Sequence, residues 1–278
     1  MTAVASGARP RVVAVGPRSA VALALGTIAG LAMFCWPLLL RPPEGFTQAT
    51  DAPFVFVLLL PVVLGVVLTS LTEGGLDAKA LALIGVLSAI GAILRPLGAG
   101  TAGIETVFFL LVLAGRVLGP GAGFVLGCTT LFASALLTGG VGPWLPYQML
   151  AAAWVGMLAG LLPWPRLRGR AELALLAAYG VVSAYLFGFL LNLAFWPFLL
   201  GGQTQLSYVP GAAVAENLHR FLLYTLATSS FGWDTGRAIT NMIAILVAGT
   251  AVLGALRRAS KRAAFDALPV FGADDGHG

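Results

Sequence analysis

Apolar positions along this chain neither alternate strictly nor mark one helical stripe. They run on for about 15 to 30 residues at a time, and the breaks between them are short and rich in Gly, Pro and Arg. Runs of that length are the pattern of helices in a lipid solvent, where every backbone polar group must be satisfied inside its own segment. Eight such segments are expected, at residues 19–40, 53–71, 79–97, 104–118, 120–137, 146–164, 171–200 and 234–256. The seventh is longer than a bilayer needs and must tilt or protrude. A further stretch, 212–228, also reads as a helix. It carries Glu216, Asn217, His219 and Arg220, so it is expected at the interface or re-entering the bundle rather than spanning.

Composition agrees with this pattern. Hydrophobic residues make up 59% of the 278 and charged residues only 10%, against about 25% charged in a soluble domain. The 36 glycines and 16 prolines fit as well, since membrane helices tolerate both. The net charge of +5 would suggest nucleic acid in a soluble chain. Here the basic residues flank apolar segments, so topology accounts for them and no nucleic-acid role is expected. With eight spans and both ends inside, twelve of the sixteen basic residues fall on the cytoplasmic side: Arg9, Arg11, Arg18, Lys79, Arg116, Arg166, Arg168, Arg170, Arg257, Arg258, Lys261 and Arg262. Arg41, Arg95, Arg220 and Arg237 fall outside. The expected protein is therefore an all-α polytopic helix bundle in the cell membrane. It has a basic tail at 1–18, two N-terminal helices within 19–71, a six-helix unit at 79–258 and a cytoplasmic tail at 259–278.

Motifs for chemistry are sparse. Neither a phosphate-binding GxxxxGK[ST] loop nor HExxH occurs, and Cys35 and Cys128 lack metal-ligand spacing and read as structural thiols. No cofactor is expected on this chain, and any ATP must be used by partner subunits. An intramembrane enzyme would need a nucleophile with a base, whereas Ser88, Ser134, Ser183 and His219 each stand alone in sequence. A stand-alone secondary transporter would show inverted repeats and midplane acids. A membrane scaffold would need no polar cluster. Small residues recur four apart at Gly26/Gly30, Gly85/Ala89, Gly115/Gly119, Gly123/Gly127 and Ala152/Gly156/Gly160. That spacing lets helices approach closely, either inside the bundle or against a membrane partner.

Polar groups at membrane depth are costly and mark candidate sites. Toward the outer side these are Glu105, Trp144, Tyr147, Gln148, Asn192, Glu216, Asn217, Arg220, Trp233, Arg237 and Asn241. Arg95 is a possible partner of Glu105, or reaches head groups. Asp234 reads as an N-cap acid for the last helix. Trp196, Phe195, Phe198, Tyr208, Phe221, Tyr224 and Trp233 add an aromatic rim that suits a planar or bulky ligand, as large as a corrinoid.

Four stretches resemble a known family: residues 80–96 ending in Arg95-Pro96; 116–127 with Gly119-Pro120-Gly121; 142–162 opening Gly142-Pro143-Trp144 with Tyr147-Gln148; and 232–241. Together they resemble the substrate-binding (S) component of energy-coupling factor (ECF) vitamin transporters, over about two-thirds of the chain. The resemblance implies a non-catalytic subunit that captures a vitamin or related micronutrient at the outer face. It would dock on a transmembrane coupling subunit carrying two cytoplasmic ATPases, then topple to release its ligand inside. Docking in such proteins uses an Ala-x-x-x-Ala surface on the first family helix. Gly85 and Ala89 match it here, with Ala82 and Ala78 extending the surface.

Overall fold

The computed structural model describes residues 15–39, 62, 65, 69, 78–98, 101–164, 167–199 and 204–264. The tail at 1–14, nearly all of the second expected span and residues 265–278 lie outside the described residues. The described part is helical: α1 (Pro17–Phe34), α2 (Trp36–Leu39), α3 (Ala78–Leu94), α4 (Phe108–Leu118), α5 (Pro120–Thr138), α6 (Leu145–Leu161), α7 (Gly169–Leu199), α8 (Val214–Thr225), a π-helical segment (Leu226–Asp234) and α9 (Thr235–Ala264). Among the described residues α1, α5, α7 and the run 214–262 are long and apolar enough to cross a membrane, while α3, α4 and α6 are shorter apolar helices.

Helices α4, α5 and α6 form the centre. α4 is buried along almost its whole length, and α5 and α6 along most of theirs. The α5–α6 contact is made backbone to backbone. A Cβ on Gly123 would run into the Gly156 carbonyl, one on Gly127 into the Ala152 carbonyl, and one on Gly115 again into that of Gly156. Most of the four-spaced small residues are thus spent inside the bundle. Gly85 differs: a Cβ there would meet no described atom within 4 Å. With Ala82, Val86, Ala89, Ile90 and Ile93 it forms the exposed face of α3, whose other face packs on α5 through Ile84, Leu87 and Gly91.

Two expected elements differ in extent. The fourth segment becomes a helix only at Phe108, because residues 101–107 form a turn and extended loop. α4 therefore covers about 16 Å at 1.5 Å per residue. The larger difference is at the C-terminal end. The stretch 212–228 and the last span are one continuous helical rod, joined through the π segment. Asp234 is consequently no N-cap; it lies inside the rod and is 1% exposed.

The rod runs antiparallel to α7, and its pairing explains the π segment. Asn241 lies beside Gly180, Arg237 beside Ala184 and Asp234 against Gly188. The next turn of α7 brings Asn192, yet its partner is Thr225. One four-residue step of α7 is opposed by the nine-residue π segment. The surplus bows away from α7, leaving Leu226, Phe231 and Trp233 exposed while Ser229 and Asp234 stay buried. Wider turns of this kind keep a buried stripe in register across an insertion.

α7 is about 46 Å long and the rod about 70 Å. Both exceed the ~30 Å hydrocarbon layer. The distal turns of α7 and α8 share a small core of Leu193, Trp196, Phe221 and Tyr224, joined by Tyr208 and Leu206. α1 and α2 pack on the α7 side, away from the exposed face of α3. Phe34 is fully buried against Tyr147 and Trp154, and the Trp36 indole donates to the Ala194 carbonyl at 2.9 Å.

Candidate functional site

The bundle carries a buried ionic cluster at each end. At the arginine-rich end Glu172, in the first turn of α7, is 1% exposed. It accepts from Arg116 Nε at 3.2 Å and from Arg257 Nη2 at 2.6 and 2.7 Å, with Arg168 at 3.8 Å. Arg116 also donates to the carbonyls of Leu162, Pro163 and Trp164, closing the open end of α6. One carboxylate thus ties α4, α6, α7 and α9 together. In sequence Arg116 reads only as a topology marker, and Glu172 is not among the candidate residues. An acid opening an apolar segment just after Arg168 and Arg170 was the available signal.

At the opposite end the centre is Arg237, 6% exposed. Its guanidinium packs against the Phe108 and Phe187 rings, 5.6 and 5.0 Å from their centroids, which themselves meet edge to face at 4.7 Å. Nε and Nη2 donate as a fork to Glu105 at 2.9 and 3.2 Å. Nη1 donates to Asp234 at 2.8 Å and to the Ala184 carbonyl at 3.1 Å. Asp234 also accepts from Ser229 and Ser230 at 3.1 and 3.4 Å. A bidentate arginine–carboxylate pair packed beside aromatic rings is strong and directional. One turn along α9, Asn241 is fully buried; its amide donates weakly to the Gly180 carbonyl at 3.5 Å, and its Oδ1 finds no partner among the described residues.

The two sides of the Arg237 fork are held differently. Asp234 and Ala184 belong to packed helices. Glu105 sits on the non-helical stretch before α4, and its side chain is 24% exposed. That stretch touches the rod through backbone: a Cβ on Gly103 (φ +74°) would run into the Trp233 carbonyl, and one on Gly236 into that of Ala102. Arg95 lies just beyond α3 on the same loop. It donates to Gln148 Oε1 at 2.9 Å rather than to Glu105.

The structure divides the expected site residues. Glu105 and Arg237 meet in one cluster, Asn241 lies one turn further along α9 against Gly180, and Gln148 lies nearby through Arg95. Tyr147 is buried between Phe34 and Phe195. Asn192 donates to Thr225 at 2.7 Å in the distal hairpin. Asn217 ties down the preceding loop by bonding both the N–H and the carbonyl of Val209. Glu216 and Arg220 pair along the exposed face of α8, and Trp144 and Trp233 are partly exposed. The aromatic rim is largely a packed cluster, with Trp196 against Tyr208, Phe221 and Tyr224. Phe108 and Phe187, which flank the arginine, escaped the sequence reading because apolar residues in apolar segments carry no local signal. Among the described residues no group of His, Cys, Asp and Glu is arranged to hold a metal.

The family model described as "ECF transporter, substrate-specific component" matches residues 79–230, which is 152 of the 278 residues. The chain belongs to that family. The match starts at the second residue of α3, ends within the π segment and leaves α1 and α2 outside. No curated protein and no solved structure gives a significant match. Membership makes the chain a membrane-embedded, non-catalytic component of ECF-type transport.

Proposed function

We propose that the chain is the substrate-capturing subunit of an ATP-driven importer, taking a vitamin-like micronutrient from the outer side. The observation that carries this reading is the face of α3 that no described residue covers. Within the family-matched region, Ala82, Gly85 and Ala89 form a smooth strip with nothing described above Gly85. In lipid, close approach of small residues is what holds helices together, so such a strip suits a transmembrane coupling subunit. The internal glycine pairs are already used up.

The arginine-rich ends of α4, α7 and α9 face the cytoplasm in this reading, with both termini inside and eight spans in all. The Arg237 end then faces outward, and Glu105, Arg237, Asn241 and Gln148 supply the polar contacts of the capture site. Trp144 and Trp233 flank it at the interface. The energy comes from two ATPases bound to the coupling subunit. α1 and α2 lie on the far side of the bundle from α3 and so ride along without blocking docking.

The test is purification of the tagged chain from its native membrane, followed by mass spectrometry. Recovery of two ATPases and a second membrane subunit, lost when Gly85 and Ala89 carry Phe, is the expected result. Ligand transport by the isolated chain in liposomes without nucleotide would overturn the reading.

A further inference from the structure

The guanidinium of Arg237 is built as an anion receptor. The packed pair of Phe108 and Phe187 lies beside it, and its inner edge is neutralised by Asp234, itself held by two serine hydroxyls. The outer fork is left for one planar, two-oxygen acceptor, and Glu105 fills it at 2.9 and 3.2 Å. Glu105 is the weakest-held member. It is the one carboxylate of the cluster outside a helix, it is partly exposed, and Arg237 is its partner among the described hydrogen bonds. A second arginine, Arg95, flanks the same loop.

We propose that Glu105 is a built-in stand-in for the ligand, and that the chain captures an organic carboxylate which displaces it from the Arg237 fork. The released Glu105 turns to Arg95, so binding and loop movement become one exchange of carboxylates. The proposal rests on the capture reading above and names its substrate class. Replacing one carboxylate by another leaves the buried charge balance unchanged. A neutral amide or a cation in the same place leaves a desolvated guanidinium without its counter-charge, which is costly. The aromatic walls of Phe108 and Phe187 favour a carboxylate carried on a flat or apolar body.

The experiment uses the full chain in lipid nanodiscs with benzoate and benzamide as matched probes, read by saturation-transfer NMR, and benzylamine as the cationic control. Benzoate binding with benzamide at least tenfold weaker is expected. The Glu105→Gln variant removes the competing charge but keeps size and an acceptor, and benzoate affinity should rise about tenfold. A merely structural ion pair predicts no such gain. Equal binding of benzoate and benzamide, unchanged benzoate affinity in Glu105→Gln, or a preference for benzylamine lost in that variant would each overturn the proposal. If the purified complex still contains its ATPases, that failure concerns the ligand class alone. If no complex forms, the capture reading itself has failed.

Discussion

Arg257 and Glu172 are 85 residues apart in sequence, yet Nη2 of the arginine lies 2.6 and 2.7 Å from the two carboxylate oxygens. The glutamate is buried and shared with Arg116, which in turn holds the end of α6. Removing one member of a buried ion cluster leaves an uncompensated charge, at a cost of about 3–5 kcal/mol. Glu172→Ala should lower the melting temperature of the purified protein sharply, and Arg257→Ala, whose guanidinium is more exposed, should do so less. Thermal unfolding followed by tryptophan fluorescence checks the order. An unshifted Glu172→Ala would mean the cluster does not hold the helices together.

The α5–α6 contact predicts a steep size dependence at Gly156. Its Cβ position coincides with the Gly123 carbonyl, so even Ala must push two backbones apart. Overpacking of this kind costs about 1–3 kcal/mol. Gly156→Ala should be destabilised and Gly156→Leu should fail to accumulate, as judged by monodispersity on size exclusion. Gly85→Ala, with open space above it, should be neutral in the same assay.

The paired variant Gly85→Phe with Ala89→Phe separates docking from folding. Both positions are exposed, so the melting temperature should stay within the range of ordinary surface changes, about ±0.5 kcal/mol. Energised uptake and recovery of the ATPases should be abolished. Uptake at the wild-type rate would place the docking surface elsewhere.

Phe34 and Trp36 test whether the N-terminal helices are part of the folded unit. Phe34→Ala opens a cavity between Tyr147 and Trp154 and should cost about 3–5 kcal/mol. Trp36→Phe keeps an aromatic ring and removes the bond to the Ala194 carbonyl, worth about 1 kcal/mol. Limited proteolysis in the 35–39 region should accelerate in the first variant and barely change in the second.

Long apolar runs, their Pro and Gly ends and the clustering of arginines sufficed to read the helical class, most segment limits and the membrane setting, because backbone satisfaction in lipid is a local demand written residue by residue. α5 and α7 fall within two residues of their expected limits for this reason. The rod from Val214 to Ala264 was not legible, because Glu216, Asn217 and Arg220 look like a break until α8 is seen packed on the distal turns of α7 and continuous with α9. Nor could spacing alone say which small-residue pair faces outward: Gly85/Ala89 and Gly123/Gly127 have the same period, and only packing partners distinguish them. The candidate site shows the same division. Glu105, Arg237 and Asn241 were visible singly as costly polar groups. That Arg237 takes Glu105 across 132 residues, keeps Asp234 behind it and packs beside the Phe108–Phe187 pair depends on the register of α7 against the rod. Charges in a low-dielectric bundle choose partners by proximity in space, and that proximity is set by packing of the whole bundle.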